Sequence, residues 1–201
     1  MKSAALHRFL SDPHVRGAFF LYTGAAFHFL YGSFRLVTGV LYRPYHVDAT
    51  AFFYLSLALS RLFLLRAYRV GEKGTDARYA CRVAGRVLYV AVGIMMLLIA
   101  ETLSGRGRAP YPFYALLVSG GYALTSASLA VAELLYLGRL RSPLLSASRA
   151  VGLSSALLSV FNFLTDVFPS FILRLAFGAV TLLFVLFLAV GLSYRYKKSD
   201  A

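Results

Sequence analysis

Six long apolar segments, separated by short polar ones, account for most of the chain. Each holds about twenty residues or more, the length that an α-helix needs to cross a bilayer. Their approximate ranges are 17–42, 47–65, 83–103, 113–137, 144–168 and 171–194. The pattern therefore predicts an all-α, polytopic transmembrane bundle of about six spans, which forms a single domain over residues 1–201.

Composition agrees with this prediction, because 59% of the 201 residues are hydrophobic and only 14% are charged. A soluble domain is about half apolar and about a quarter charged. Six spans with short connections leave no room for a soluble domain of ordinary size. The segment 1–16 is basic, but the apolar run after it is too long for a cleaved signal peptide, so we interpret that run as an uncleaved first span.

The distribution of Lys and Arg predicts the orientation in the membrane. The chain has a net charge of +13, and most of its 21 basic residues lie near its two termini and in the second and fourth connections. Basic loops stay in the cytoplasm, so both termini are predicted to be cytoplasmic, in a multi-pass protein of the plasma membrane. The partner is then the lipid bilayer, and we exclude nucleic acid because the basic residues lie between the apolar runs.

Polar residues at helical spacing follow one face of the first span and one face of the fifth. In each span the steps alternate between three and four residues, so the side chains share one side of a helix. The first stripe comprises Gly24, His28, Tyr31, Arg35, Thr38 and Tyr42, and the second comprises Ser148, Gly152, Ser155, Ser159, Asn162 and Asp166. Such faces are typical of helix-packing seams, and they also line polar paths. Both interpretations stay open.

Arg35 is the most informative residue of the first stripe, since a charge within the membrane is costly unless it is paired or reaches the interface. It precedes the end of its span by seven residues, about 10 Å along a helix. Asp166 lies at a similar depth and is the first candidate partner, and Glu101 is the second. As substrate path or buried polar pairs we predict seven residues: His28, Arg35, Glu101, Ser155, Ser159, Asn162 and Asp166.

Other ionisable residues lie near the opposite ends of their spans. Glu133 is predicted to pair with Arg61 or with Arg86, and structural pairing is the simpler interpretation. His28 stands alone near mid-membrane, where a hydrogen-bonded structural histidine is the simpler interpretation and a ligand the alternative. Cys81, the single cysteine, is placed in a basic loop and interpreted as a free thiol, since it cannot form an intramolecular disulfide.

Catalytic and metal-binding motifs are missing from the sequence. It contains no H-E-x-x-H, no G-x-S-x-G and no phosphate-binding loop. Four scattered histidines and one cysteine do not make a metal site. We therefore expect no enzyme activity, no cofactor and no bound metal.

Two segments resemble the transmembrane domain of the cation diffusion facilitators. Phe34-Arg35-Leu36-Val37-Thr38-Gly39 is similar to the basic-x-x-x-Gly element of that family's first span. Ser142-Pro143-Leu144-Leu145-Ser146-Ala147-Ser148 is similar to the Ser-Pro-x-Leu-x-Ala-Asp entry of its fifth span. The resemblance implies six spans with cytoplasmic termini, which agrees with the topology predicted from the charges.

The metal ligands of that family have no counterparts in this chain. The family places His or Asp, then Asp four residues later, on spans two and five, whereas the span-five positions here are Val151 and Ser155 and span two carries no acid. Divalent cations need such ligands, so we expect no zinc transport by that mechanism. The segment Tyr54-x-x-Leu57-Ala58-x-x-Arg61 also resembles a group of uncharacterised bacterial membrane proteins. Together these resemblances imply a relative that kept the bundle and lost the ligands.

Two functions fit these observations. In the first, the chain is a small transporter-like bundle that works as a homodimer, with spans one and five lining its path. In the second, it is a non-transporting scaffold or a regulatory or substrate-binding subunit of a larger transport complex. A polar stripe facing inward favours the first, and one facing a partner favours the second.

Overall fold

A computed structural model describes residues 12–42, 45–71, 75–103, 112–137, 142–168 and 170–197. These residues form six α-helices: α1 (Pro13–Tyr42), α2 (Tyr45–Val70), α3 (Thr75–Leu103), α4 (Phe113–Leu137), α5 (Pro143–Val167) and α6 (Phe171–Lys197). Within the described ranges there is no β-strand. The all-α prediction is confirmed, and α4 has the predicted bounds.

Five of these helices contain segments long and apolar enough to cross a membrane. The segments are Ala49–Val70, Ala77–Ala100, Phe113–Leu137, Pro143–Val167 and Phe171–Tyr194, and they fit an integral membrane protein. Helix α1 has 30 residues but is absent from this set. Its polar stripe lowers its hydropathy, yet His28 and Arg35 on that stripe are buried inside the bundle. We therefore keep α1 as the predicted first span.

The basic segment between the second and third spans is mostly helical, which corrects the prediction of a long loop. Helix α2 continues to Val70, and the N–H of Gly71 still bonds the carbonyl of Ala67 at 3.2 Å, while the φ of 117° at Gly71 turns the chain out of the helix. Helix α3 then begins at Thr75. Arg is a good helix former, so helices extend beyond the apolar core. The placement of Cys81 in a loop is wrong, because Cys81 is buried in α3.

Successive helices run up and down. At one end Arg61, late in α2, contacts Phe20, early in α1, and at the other end the hydroxyls of Tyr42 and Tyr114 lie 2.7 Å apart. We call the end at which α1, α3 and α5 begin the basic end. Among the described residues at this end, the exposed arginines are Arg66, Arg69, Arg78, Arg82 and Arg86.

Helix α5 occupies the centre of the bundle. It contacts each of the other five helices, and 72% of its candidate span is buried. Its start is fixed by Ser142, whose hydroxyl accepts the N–H of Leu145 at 3.3 Å, and by Pro143 in the first turn. Small residues along α5 let its neighbours approach closely. As a result, the polar faces of α1 and α5 lie inside the protein, as a path or a packing seam requires.

Helices α1 and α2 pack on each other most extensively, and α4 and α5 form a second hairpin. Helices α3 and α6 pack together on the far side of α5. Only 28% of the α6 span is buried, so most of its apolar surface faces outward. The two hairpins meet along a buried polar face, which holds the candidate site.

Candidate functional site

An ion pair joins the two hairpins near the basic end. Arg61 on α2 donates from Nη1 to Oε1 of Glu133 on α4 at 2.5 Å, and to the carbonyl oxygen of Phe20 on α1 at 3.1 Å. The side chains are 2% and 1% exposed. A buried pair holds only if both charges stay together, since either one alone would be stranded in a low dielectric. The sequence offered Arg61 or Arg86 as the partner of Glu133, and the structure shows that it is Arg61.

Two glycines make room for this ion pair. A Cβ on Gly152 of α5 would lie 2.6 Å from Nη2 of Arg61 and 2.6 Å from Oε2 of Glu133. A Cβ on Gly24 of α1 would meet the Arg61 guanidinium. Real Cβ atoms do not approach that closely, so only glycine lets α1 and α5 close over the charges. The pair is therefore enclosed by four helices.

Above the ion pair, one turn further along α1, lies a histidine bonded to two hydroxyls. His28 Nδ1 is 2.7 Å from the Tyr122 hydroxyl and 3.4 Å from the Ser155 hydroxyl, and the two hydroxyls are 3.1 Å apart. The three residues come from α1, α4 and α5. An imidazole between hydroxyls can pass a proton or hold a polar solute, because each group both donates and accepts.

Three tyrosines fill the middle of the bundle. The rings of Tyr31 and Tyr122 stack at 3.7 Å with 5° between their planes, and Tyr54 meets both edge-on at 4.8 and 5.2 Å. Tyr31 donates to the Ser119 hydroxyl at 3.2 Å. Aromatic packing of this kind closes the centre of the bundle, while the hydroxyls keep it polar.

Beyond the tyrosines, the polar face continues to the opposite end. Ser159 of α5 and Ser126 of α4 lie 2.6 Å apart through their hydroxyls. Arg35 is buried, with its guanidinium carbon 5.5 Å from the centre of the Tyr31 ring, within the range of a cation–π contact. Asn162 is also buried on this face.

We name this set of buried groups the polar column. It runs from the Arg61–Glu133 pair through His28 and the tyrosines to Arg35 and Asn162. From Gly152 to Asn162 it follows about 15 Å of α5, roughly half of the ~30 Å apolar core of a bilayer.

Several polar atoms of the column have no hydrogen-bond partner among the described residues. They include His28 Nε2, Arg61 Nε and Oε2 of Glu133, on side chains that are at most 4% exposed. A buried polar group without a partner costs about 1–3 kcal/mol. Polar side chains inside a membrane bundle either join helices or line a path, and both interpretations stay open for these groups.

The structure brings some of the predicted site residues together and leaves the pairing of others untested. His28 and Ser155 contact each other, and Ser159 lies one turn beyond Ser155 on the same column. Asp166 is partly buried on the next turn of α5 after Asn162, and its pairing with Arg35 stays a prediction. Glu101 belongs to α3, but its side chain lies outside the described residues.

The sequence interpretation used only Glu133 from α4 and missed the other polar residues on that helix face. Ser119, Tyr122, Ser126 and Glu133 are spaced by three, four and seven residues, so they share one face of that helix. This periodicity was available in the sequence. Tyr54 had no such signal, because a single tyrosine in an apolar span is more typical of a membrane interface.

The described residues contain no group of three or more His, Cys, Asp or Glu side chains placed to hold a metal ion. Val151 and Ser155, the positions that correspond to facilitator ligands, are both fully buried in α5. The chain matches no protein-family model, no curated protein and no solved structure. The interpretation of function therefore depends on the geometry of the column.

Proposed function

We propose that this protein is a transporter-like bundle of the plasma membrane, and that the polar column between the two hairpins is its path in a closed state. The observation that carries the proposal is the Arg61–Glu133 pair, buried under two glycines at one end of a continuous polar face. Transport requires a second conformation in which the path is reached by water. The ion pair connects α1, α2 and α4, so it would keep the path closed at the basic end.

The two-hairpin architecture supports the way in which the path would open. Each hairpin has its own extensive internal packing, and fewer contacts join one hairpin to the other. Separation of the hairpins would break the Arg61–Glu133 pair and expose His28 and Ser155 while leaving each hairpin intact. The resemblance of two segments to the cation diffusion facilitators also favours a transport role, with a cargo other than a tightly ligated metal.

The alternative function is a non-transporting scaffold or subunit of a larger complex. It is favoured by the stacked rings of Tyr31 and Tyr122, which close the centre of the bundle. The largely uncovered apolar surface of α6 also fits a helix that docks on a partner. In that case the polar column is a packing seam, and water never enters it.

Cysteine accessibility distinguishes the two functions without knowledge of a cargo. In a Cys81→Ser background, a single cysteine replaces Ser155 or Ser159, and a water-soluble charged thiol reagent is added. We expect the cysteine to react slowly in the otherwise native protein and about tenfold faster with Glu133→Gln. A tenfold increase corresponds to a shift of about 1.4 kcal/mol in the equilibrium between the closed and open states. The lipid-facing control Ser128→Cys should not respond to Glu133→Gln. Equal, slow reaction in both backgrounds would favour the seam and refute the path.

A further inference from the structure

A groove on the outer surface of the bundle lies between α4, α5 and α6 near the basic end. Its volume is about 290 Å³, close to the lower end of the ~300–1,000 Å³ range of ligand pockets. Leu134, Leu153 and Phe187 form much of its apolar lining, and Arg149 and Ser146 supply polar groups. The groove opens outward, whereas the polar column faces the interior, but the charge of Arg149 also acts on Glu133 of the ion pair.

On α5, the polar groups of the groove lie nearer the basic end than the apolar one. Ser146 and Arg149 lie in the first two turns of α5, near the basic end, whereas Leu153 lies one turn deeper. The Nε of Arg149 donates to the carbonyl oxygen of Leu145 at 3.3 Å, which anchors the side chain on its own helix. A guanidinium presents a fork of donors that matches a phosphate group. This order matches a phospholipid, with its headgroup at the surface and its acyl chain below.

A glycine on α6 shapes the groove, whose volume of about 290 Å³ is close to that of a small-ligand pocket. Gly191 forms part of the wall, and no atom lies within 4 Å of the place where its Cβ would be. The absence of a side chain at Gly191 thus keeps the groove open to an acyl chain.

We propose that this groove binds an acidic phospholipid, with its phosphate at Arg149 and one acyl chain along α6. Charge complementarity supports this occupant, because the chain carries a net charge of +13 and the basic end is where anionic headgroups gather on a cytoplasmic leaflet. The same chemistry could bring a second copy or a partner protein to this face, and the experiment below separates these occupants.

The chain has no tryptophan, so one introduced tryptophan reports on its own surroundings. Phe187→Trp places the probe on the groove, where Phe187 is 73% exposed. Phe19→Trp is the control, on an exposed part of α1 near the same end of the bundle. Each variant is reconstituted in phosphatidylcholine vesicles that contain phosphatidylglycerol, and either lipid is supplied with brominated chains that quench tryptophan fluorescence on contact.

At the groove, we expect brominated phosphatidylglycerol to bind about five times more strongly than phosphatidylcholine, because one basic residue near the surface has an effect of this size. At the control site, we expect a relative binding constant of about one. Arg149→Gln should return the groove value to about one, whereas Arg149→Lys should keep most of the preference. Gly191→Leu should reduce quenching at the groove by both lipids, because the new side chain fills it. The matched change Gly93→Leu, at another exposed glycine with open space around it, should have no effect.

Three results would overturn the lipid site. A relative binding constant of one at the groove would show an ordinary lipid-facing surface without a preference for acidic lipid. Absence of quenching by either lipid at Phe187→Trp, in protein that is dimeric by cross-linking, would show that a second copy covers the groove. The same absence in monomeric protein bound to another chain would assign the groove to a protein partner.

Discussion

Removal of one member of the Arg61–Glu133 pair should cost more stability than removal of both. Either charge alone would remain buried, since the side chains are only 2% and 1% exposed. We expect Arg61→Met and Glu133→Leu each to lower the free energy of unfolding by about 3–5 kcal/mol. The double variant leaves no unpaired charge in the interior. Its free energy of unfolding should therefore fall by less than the sum of the two single losses, with a coupling energy of about 2–3 kcal/mol.

The assay is equilibrium unfolding in mixed micelles of mild and denaturing detergent, followed by the helical circular dichroism signal. The control is Arg66→Met, which removes an exposed arginine from the same helix and should change the free energy of unfolding by no more than about 0.5 kcal/mol. If the losses in free energy of unfolding of the two single variants are strictly additive in the double variant, the two charges do not stabilise each other, and the ion pair is excluded as a source of stability.

Three further predictions follow from the same bundle. Gly152→Ala should cost about 1–3 kcal/mol by pushing a Cβ into the ion pair, whereas Gly93→Ala, in open space, should be neutral or stabilising by up to about 1 kcal/mol in the same unfolding assay. Arg35→Ala and Asp166→Asn should each lower the melting temperature, and the double variant should lose less than the sum if the two side chains pair across α1 and α5; strict additivity would exclude that pair. An alkaline phosphatase fusion at Ala201 should be inactive and a green fluorescent protein fusion there should fluoresce, because the C-terminus is predicted to be cytoplasmic; the reverse pattern would invert the topology.

The helical architecture could be predicted from hydropathy because each span must satisfy its own backbone hydrogen bonds in lipid. Hydropathy did not predict where α2 ends and α3 begins. Charged residues can remain helical in the headgroup region, so the end of a helix there is not marked by the end of the apolar run. Helix α2 thus runs to Val70 and α3 begins at Thr75, well beyond the predicted spans.

The candidate site could be predicted in part. The stripes on α1 and α5 indicated which faces are buried, and helical periodicity is enough for that. The choice between Arg61 and Arg86 as partner of Glu133 depends on which helix lies beside α4, which a single sequence does not encode in any short pattern. The central position of Tyr54 depends in the same way on its neighbours, because its burial follows from contacts with Tyr31 and Tyr122 on other helices.

If the polar column is a path that the Arg61–Glu133 pair holds shut, breaking the pair must lengthen the distance between the two hairpins at the basic end. Spin labels are attached to cysteines at Val15 on α1 and Leu135 on α4, both exposed, in a Cys81→Ser background. Pulsed electron paramagnetic resonance then gives the distance distribution in lipid. We expect one main distance in the otherwise native protein and an added population at longer distance with Glu133→Gln. A single distribution that Glu133→Gln leaves unchanged would contradict this expectation.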